Sequence, residues 1–117
     1  MASFTDQVIV VTGASEGIGR ALCLRLAIDR PKLVLAARNE ERLESLRDEL
    51  EQQGVEALCV PTDVTQQAEC QRLIERTVER FGRLDVLVNN AGSTMWARFE
   101  EIEDPSIFER LMRLNYL

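Results

Sequence analysis

Short apolar runs alternate with stretches in which apolar residues recur every three or four positions. Val8-Ile9-Val10-Val11 is a continuous β-branched run, the pattern of a strand covered on both faces. Leu33 to Ala37, Val55 to Val60 and Leu84 to Val88 repeat it. Between these runs, Ile18, Leu22 and Leu26 mark one helix face, and Leu43, Leu46 and Leu50 a second, on a helix that Gly54 stops. Leu73, Ile74, Thr77 and Phe81 mark a third, with Thr65 as its expected N-cap and Gly82 at its end; such faces and stops are the signature of amphipathic helices. The order β-α-β-α-β-α-β-α predicts an α/β fold with right-handed crossovers and a parallel sheet. No internal linker, repeat or low-complexity tract divides residues 1–117, so a single domain is expected. The last segment, Pro105 to Leu117, reads as a helix that is apolar nearly all round. A second layer or another subunit would have to cover it, the alternative being a frayed, poorly soluble end.

The first strand runs into Thr12-Gly13-Ala14-Ser15-Glu16-Gly17-Ile18-Gly19, and the fourth into Asn89-Asn90-Ala91-Gly92. A glycine-rich turn between strand and helix presents the helix's unpaired N–H groups and the positive end of its dipole to an anion. Gly13 suits the turn, Gly17 allows close approach of a phosphate, and Gly19 allows the helix to pack on its strand. The spacing is Gly-x-x-x-Gly-x-Gly, wider at first than the Gly-x-Gly-x-x-Gly fingerprint. No Gly-Lys-Ser/Thr ending follows, which argues against nucleoside-triphosphate hydrolysis. A pocket for the pyrophosphate of a dinucleotide is the reading these features support, a purely structural turn the alternative.

Composition narrows the field. A net charge of −6 with scattered basic residues argues against a nucleic-acid partner. No apolar stretch approaches the roughly 20 residues of a membrane span, and Met1 to Asp6 has neither the basic flank nor the apolar core of a signal peptide. Cys23, Cys59 and Cys70 lack metal-ligand spacing and read as reduced thiols of a cytoplasmic protein, with no metal site expected. Histidine is absent, which removes the commonest general base.

With both glycine motifs in place, the chain resembles the short-chain dehydrogenase/reductase family from about Gln7 to its last residue. Thr12 to Gly19 matches that family's cofactor turn and Asn89 to Gly92 its Asn-Asn-Ala-Gly motif. The resemblance implies a Rossmann-type, doubly wound parallel sheet in the order 3-2-1-4, with helices on both faces and the fourth strand as an open edge. It implies that residues 1–117 are the N-terminal, NAD(P)-binding portion of a longer catalytic domain. Thr12, Gly13, Ser15, Glu16, Gly17, Ile18 and Gly19 are then cofactor-binding residues. Asp63 and Val64 would read the adenine edge, although Asp63 also suits a cap for the helix near Thr65. Asn89 would tie the central strands, and Asn90, Ala91 and Gly92 would lie along the ribose and pyrophosphate.

Cofactor preference is set after the second strand, which ends Ala36-Ala37-Arg38-Asn39 without the carboxylate that accepts the ribose hydroxyls of NAD. Arg38 offers a planar fork for a 2′-phosphate, so NADP(H) is expected over NAD(H), with Arg38 and Asn39 as phosphate contacts. Glu16 complicates this, because some NADP-dependent relatives carry a basic residue there. The alternative makes Arg38 a solvated residue at a helix start.

In the family, hydride passes between the nicotinamide and a carbonyl or alcohol carbon, while a tyrosine, a lysine and a serine handle the oxygen and its proton. No such serine–tyrosine–lysine set is identifiable in residues 1–117, and Tyr116 has no lysine four positions later. Asn115 resembles the family's catalytic asparagine, which holds a water in the proton relay. The expectation is an oxidoreductase of small carbonyl or alcohol substrates, homo-oligomeric when complete and inactive as residues 1–117 alone. A non-catalytic protein that binds a dinucleotide or pairs with a full-length partner is the alternative. Another nucleotide fold, such as a methyl transferase, would leave Asn89 to Gly92 unexplained. Met95, Trp96 and Phe99 make the loop from Ser93 to Phe99 apolar, in keeping with a hydrophobic substrate or with packing.

Overall fold

Continuous apolar runs suit strands covered on both faces, a condition that Val8 to Val11 and Leu33 to Ala37 meet in full and the two outer runs in part. The structure, a computed structural model, describes residues 4–90. Along the chain it comprises β1 (Val8–Thr12), α1 (Gly17–Leu26), a single 3-10 turn (Ala27–Asp29), β2 (Lys32–Ala37), α2 (Glu40–Gln52), β3 (Ala57–Pro61), α3 (Gln67–Phe81) and β4 (Val86–Val88). The strands form one parallel sheet in the order β3-β2-β1-β4. Val10 lies opposite Val34 on one side and Leu87 on the other. This is the Rossmann-type order that the family resemblance implies.

Alternate strand residues face opposite layers. Ile9, Val11, Leu33 and Leu35 pack with Cys23 of α1 and with Leu43, Leu46 and Leu50 of α2. Val8, Val10, Val34 and Ala36 pack with Cys70, Leu73 and Ile74 of α3. Among the described residues helices therefore cover both faces, two on one and one on the other. Thr77 is also buried on α3, where its hydroxyl donates to the Leu73 carbonyl at 2.8 Å and so needs no outside partner. Among the described residues no helix is long and apolar enough to cross a membrane.

Four local expectations are corrected. The innermost face of α1 is Gly19, Cys23 and the following Ala27 rather than Ile18, Leu22 and Leu26. Small residues let the helix approach β1 closely, so Leu22 and Leu26 sit half-buried at its flank and Ile18 is 78% exposed. The N-cap of α3 is Gln66, not Thr65; the Thr65 hydroxyl instead donates to Asp63 Oδ1 at 2.6 Å. β3 starts at Ala57 because Val55 closes α2: its N–H bonds to Leu50 O while that of Gly54 bonds to Glu51 O, the paired bonds of a Schellman end. β4 starts at Val86 because Asp85 serves as a clasp. Its N–H donates to Val8 O at 2.9 Å, and its Oδ2 accepts the buried Val8 N–H at 2.8 Å.

The Asp85 clasp carries a stability prediction. Asp85→Ala removes the acceptor from a buried backbone donor, and such a loss costs about 1–3 kcal/mol. The midpoint of urea unfolding should fall accordingly with an unchanged slope. An unmoved midpoint would show that water reaches Val8 and the clasp is dispensable.

Candidate dinucleotide-binding site

Three strand-to-helix connections converge at the C-terminal ends of β1, β2 and β3, the place where open parallel sheets bind ligands. In the first, Gly13 and Gly17 both adopt left-handed backbone conformations, φ +63° and +60°, which other residues rarely accept. The Ala14 N–H donates to Ala36 O at 3.2 Å and holds the turn against β2. Gly19 is a different case. A Cβ there would lie 2.0 Å from the Gly13 carbonyl oxygen and 2.8 Å from Asn90 Nδ2, so the helix and the turn touch backbone to backbone.

Beneath the turn, Thr12 is fully buried, and its hydroxyl lies 3.4 Å from both Val88 O and Asn89 Oδ1. Asn90 Nδ2 donates to Gly13 O at 3.3 Å. Both asparagines thus fasten the end of β4 to β1 and its glycine turn, Asn89 from below and Asn90 at its rim. The N-cap of α1 is Glu16, which makes no side-chain cap bond, and the first turn of α1 carries no acidic residue. The first amides of a helix have no partner within it. With no side-chain cap and no acidic residue in the first turn, this helix end is of the kind that favours an anion.

Next to the turn is a cavity of about 360 Å³ lined by Gly13, Ser15 and Glu16 from the first connection, Arg38 and Asn39 from the second, and Asp63 and Val64 from the third. Asp63 organises its own loop: Oδ1 accepts from the Thr65 N–H at 3.0 Å as well as from its hydroxyl. Those bonds, with a smaller effect from the Arg38 guanidinium, hold the Asp63 carboxyl below its ordinary range. The Asp63 N–H donates to Glu69 Oε1 at 2.9 Å, a contact from α3 that the sequence reading missed. Asp63 is therefore the pivot of a turn rather than a helix cap.

Arg38 is 74% exposed and reaches Asp63 Oδ2 at 3.4 Å. Asn39 is the N-cap of α2, its Oδ1 accepting the Arg42 N–H at 3.0 Å. The oxygen is thus committed to the helix. Glu16 forms an ion pair with Arg42, a residue sequence reasoning did not single out, since the two lie 26 positions apart. The N-cap role of Asn39 had a signal in its residue type and position; the Glu16–Arg42 contact had none.

Neither Cys23 nor Cys59 lines this cavity. Burial pushes the Cys23 thiol up to about 12 and that of Cys59 up to about 11, which keeps them protonated and unreactive. Among the described residues no group of three or more His, Cys, Asp and Glu side chains could hold a metal ion. Ala91, Gly92, Asn115, the loop from Ser93 to Phe99 and the segment from Pro105 to Leu117 lie outside the described residues.

The family model for short chain dehydrogenases matches residues 7–117. Over 111 residues the chain is 40% identical to an 11-beta-hydroxysteroid dehydrogenase of Pinus massoniana, an alignment covering 94% of the chain and 31% of that protein. The crystal structure of a short chain dehydrogenase/reductase from Burkholderia phymatum in complex with NAD superimposes with a TM-score of 0.71 at 39% identity, covering 74% of this chain and 31% of the other. An alcohol dehydrogenase from Thermococcus sibiricus, complexed with 5-hydroxy-NADP, gives 0.68 at 43% identity, covering 69% and 35%. The chain spans 31% to 40% of the length of the first curated relatives it matches.

Proposed function

This chain belongs to the short chain dehydrogenase family, and on that premise we propose that it is the cofactor-binding part of an NADP(H)-preferring oxidoreductase of small carbonyl or alcohol substrates. The observation that carries the reading is the uncapped N-terminus of α1, opening onto a turn whose close backbone approach at Gly19 excludes a side chain. The cofactor, when bound, supplies or accepts the hydride.

This chain's residues bind and orient it. The amides at the start of α1 receive the diphosphate. Asp63 and Val64 meet the adenine edge, with the Thr65 bonds keeping the Asp63 carboxylate ionised and correctly turned. Asn90, Ala91 and Gly92 follow the ribose and pyrophosphate. Asn115 is assigned a water in the proton relay, and the serine, tyrosine and lysine that complete the relay are not identifiable in residues 1–117. We therefore assign turnover to the whole homo-oligomeric protein and cofactor binding to this part.

The preference for NADP(H) rests on Arg38 and on the absence of a carboxylate at Ala36 and Ala37. An exposed ion pair such as Arg38–Asp63 contributes about 0–1 kcal/mol, whereas a hydrogen bond to a charged group contributes about 1.5–3 kcal/mol. A 2′-phosphate therefore draws Arg38 away from Asp63. Arg38→Ala should weaken NADPH binding by about one to two orders of magnitude, at about 1.4 kcal/mol per tenfold, while NADH binding stays nearly constant. Fluorescence titration with both cofactors measures the ratio; an unchanged ratio removes Arg38 from the assignment.

A further inference from the structure

The Glu16–Arg42 ion pair has no place in the binding scheme above, yet it sits on the rim of the same cavity. Arg42 is the third residue of α2, with its N–H bonded to the Asn39 cap. Helical side chains lean toward the N-terminus of their helix, which carries the Arg42 guanidinium back over the end of α2 where Arg38 and Asn39 line the cavity. There it meets the carboxylate of Glu16, itself a lining residue. Both side chains are more than half exposed, 54% for Arg42 and 72% for Glu16. Glu16 occupies the N-cap position of α1 but caps nothing there. Its contact is therefore made across the mouth of the site rather than within its own helix.

Two consequences follow from charge alone. While the pair is closed, the Glu16 carboxylate is matched by a guanidinium. In addition, a second arginine is stationed beside the end of β2, held by a partner weaker than a phosphate dianion, which an arginine fork can engage through two bonds.

We propose that Arg42 is a second determinant of 2′-phosphate recognition and that Glu16 is its competitor, holding the guanidinium until the phosphate displaces it. The inference rests on the dinucleotide-binding reading above. Release from Glu16 makes Arg42 available at the rim alongside Arg38, and cofactors without the 2′-phosphate leave the ion pair closed.

A double-mutant cycle on the full chain tests this, using calorimetric titration with NADP⁺ and NAD⁺ and with the fragments adenosine 2′,5′-bisphosphate and 5′-AMP. Arg42→Ala should weaken NADP⁺ and the bisphosphate by about tenfold, the scale of one charge-assisted hydrogen bond, and leave NAD⁺ and 5′-AMP within about twofold. Glu16→Gln should tighten the 2′-phosphorylated ligands by about three- to fivefold, the scale of an exposed ion pair. That gain should vanish in the Glu16→Gln/Arg42→Ala double variant. A gain that persists there means that Glu16 acts by direct repulsion, and the proposal fails. Unchanged affinities in both single variants overturn it too, while leaving dinucleotide binding intact. If the unsubstituted chain binds neither dinucleotide, the underlying reading falls and takes this one with it.

Discussion

Gly19→Ala is expected to abolish NADP(H) binding and to destabilise the protein, because the new methyl group has nowhere to go. Its nearest neighbour would be the Gly13 carbonyl oxygen at 2.0 Å, a backbone atom that cannot rotate aside. Either α1 lifts from the turn or the turn shifts, and both movements displace the amides that receive the diphosphate. Each hydrogen bond to the diphosphate that is lost costs about 1.5–3 kcal/mol, or about one to two orders of magnitude in affinity at about 1.4 kcal/mol per tenfold, and forcing a methyl into packed surroundings costs about 1–3 kcal/mol. At about 4–8 °C per kcal/mol for a domain of this size, the melting temperature should drop visibly. The upward shift that NADPH gives the unsubstituted chain should disappear. Gly17→Ala is the informative contrast, since nothing lies within 4 Å of its Cβ position and only its φ of +60° opposes the change. A Gly19→Ala protein that still gains stability from NADPH would end the backbone-contact account of this site.

Leu46→Ala is expected to have the largest effect on stability. Leu46 is fully buried in the layer formed by α2, β1 and β2. Truncating such a leucine costs about 2–5 kcal/mol, against a total of about 5–15 kcal/mol for a domain. Urea unfolding followed by circular dichroism should show the midpoint falling by a large fraction of its value. The effect reaches function as well, because Arg42 stands in the first turn of α2 and Arg38 and Asn39 lead directly into that helix. Loosening the helix should blur the discrimination between NADPH and NADH before binding itself is lost. Ile28, 68% exposed, is the control; its replacement by alanine should stay within about 0.5 kcal/mol. A similar midpoint for both variants would mean that the α2 layer is not the core described above.

Much of this was legible in the chain itself. Unbroken apolar runs required strands covered on both faces, and Leu43, Leu46 and Leu50, all fully buried, marked the inner face of α2 by their spacing. Periodicity misled at α1, because it weights large apolar residues. The face that approaches the sheet closest is the one built from Gly19, Cys23 and Ala27, whose small volume is the reason for the approach. Thr65 had the residue type of a cap, but the Asp63 carboxylate takes its hydroxyl and its N–H, and a competition between two local partners is not visible in residue order.

By itself, then, the sequence determined that strands and helices alternate in a parallel sheet and where the glycine turn lies, since these depend on local periodicity and on backbone conformations that few residues adopt, while the order 3-2-1-4 came from the family resemblance. Only the tertiary structure decided which charged side chains meet which partners. Asp85 clasps Val8, Arg38 reaches Asp63, and Arg42 crosses to Glu16, each pairing made between elements that the crossovers bring together from distant parts of the chain. Charge interactions depend on distances in space, and the chain encodes those only through the way it folds.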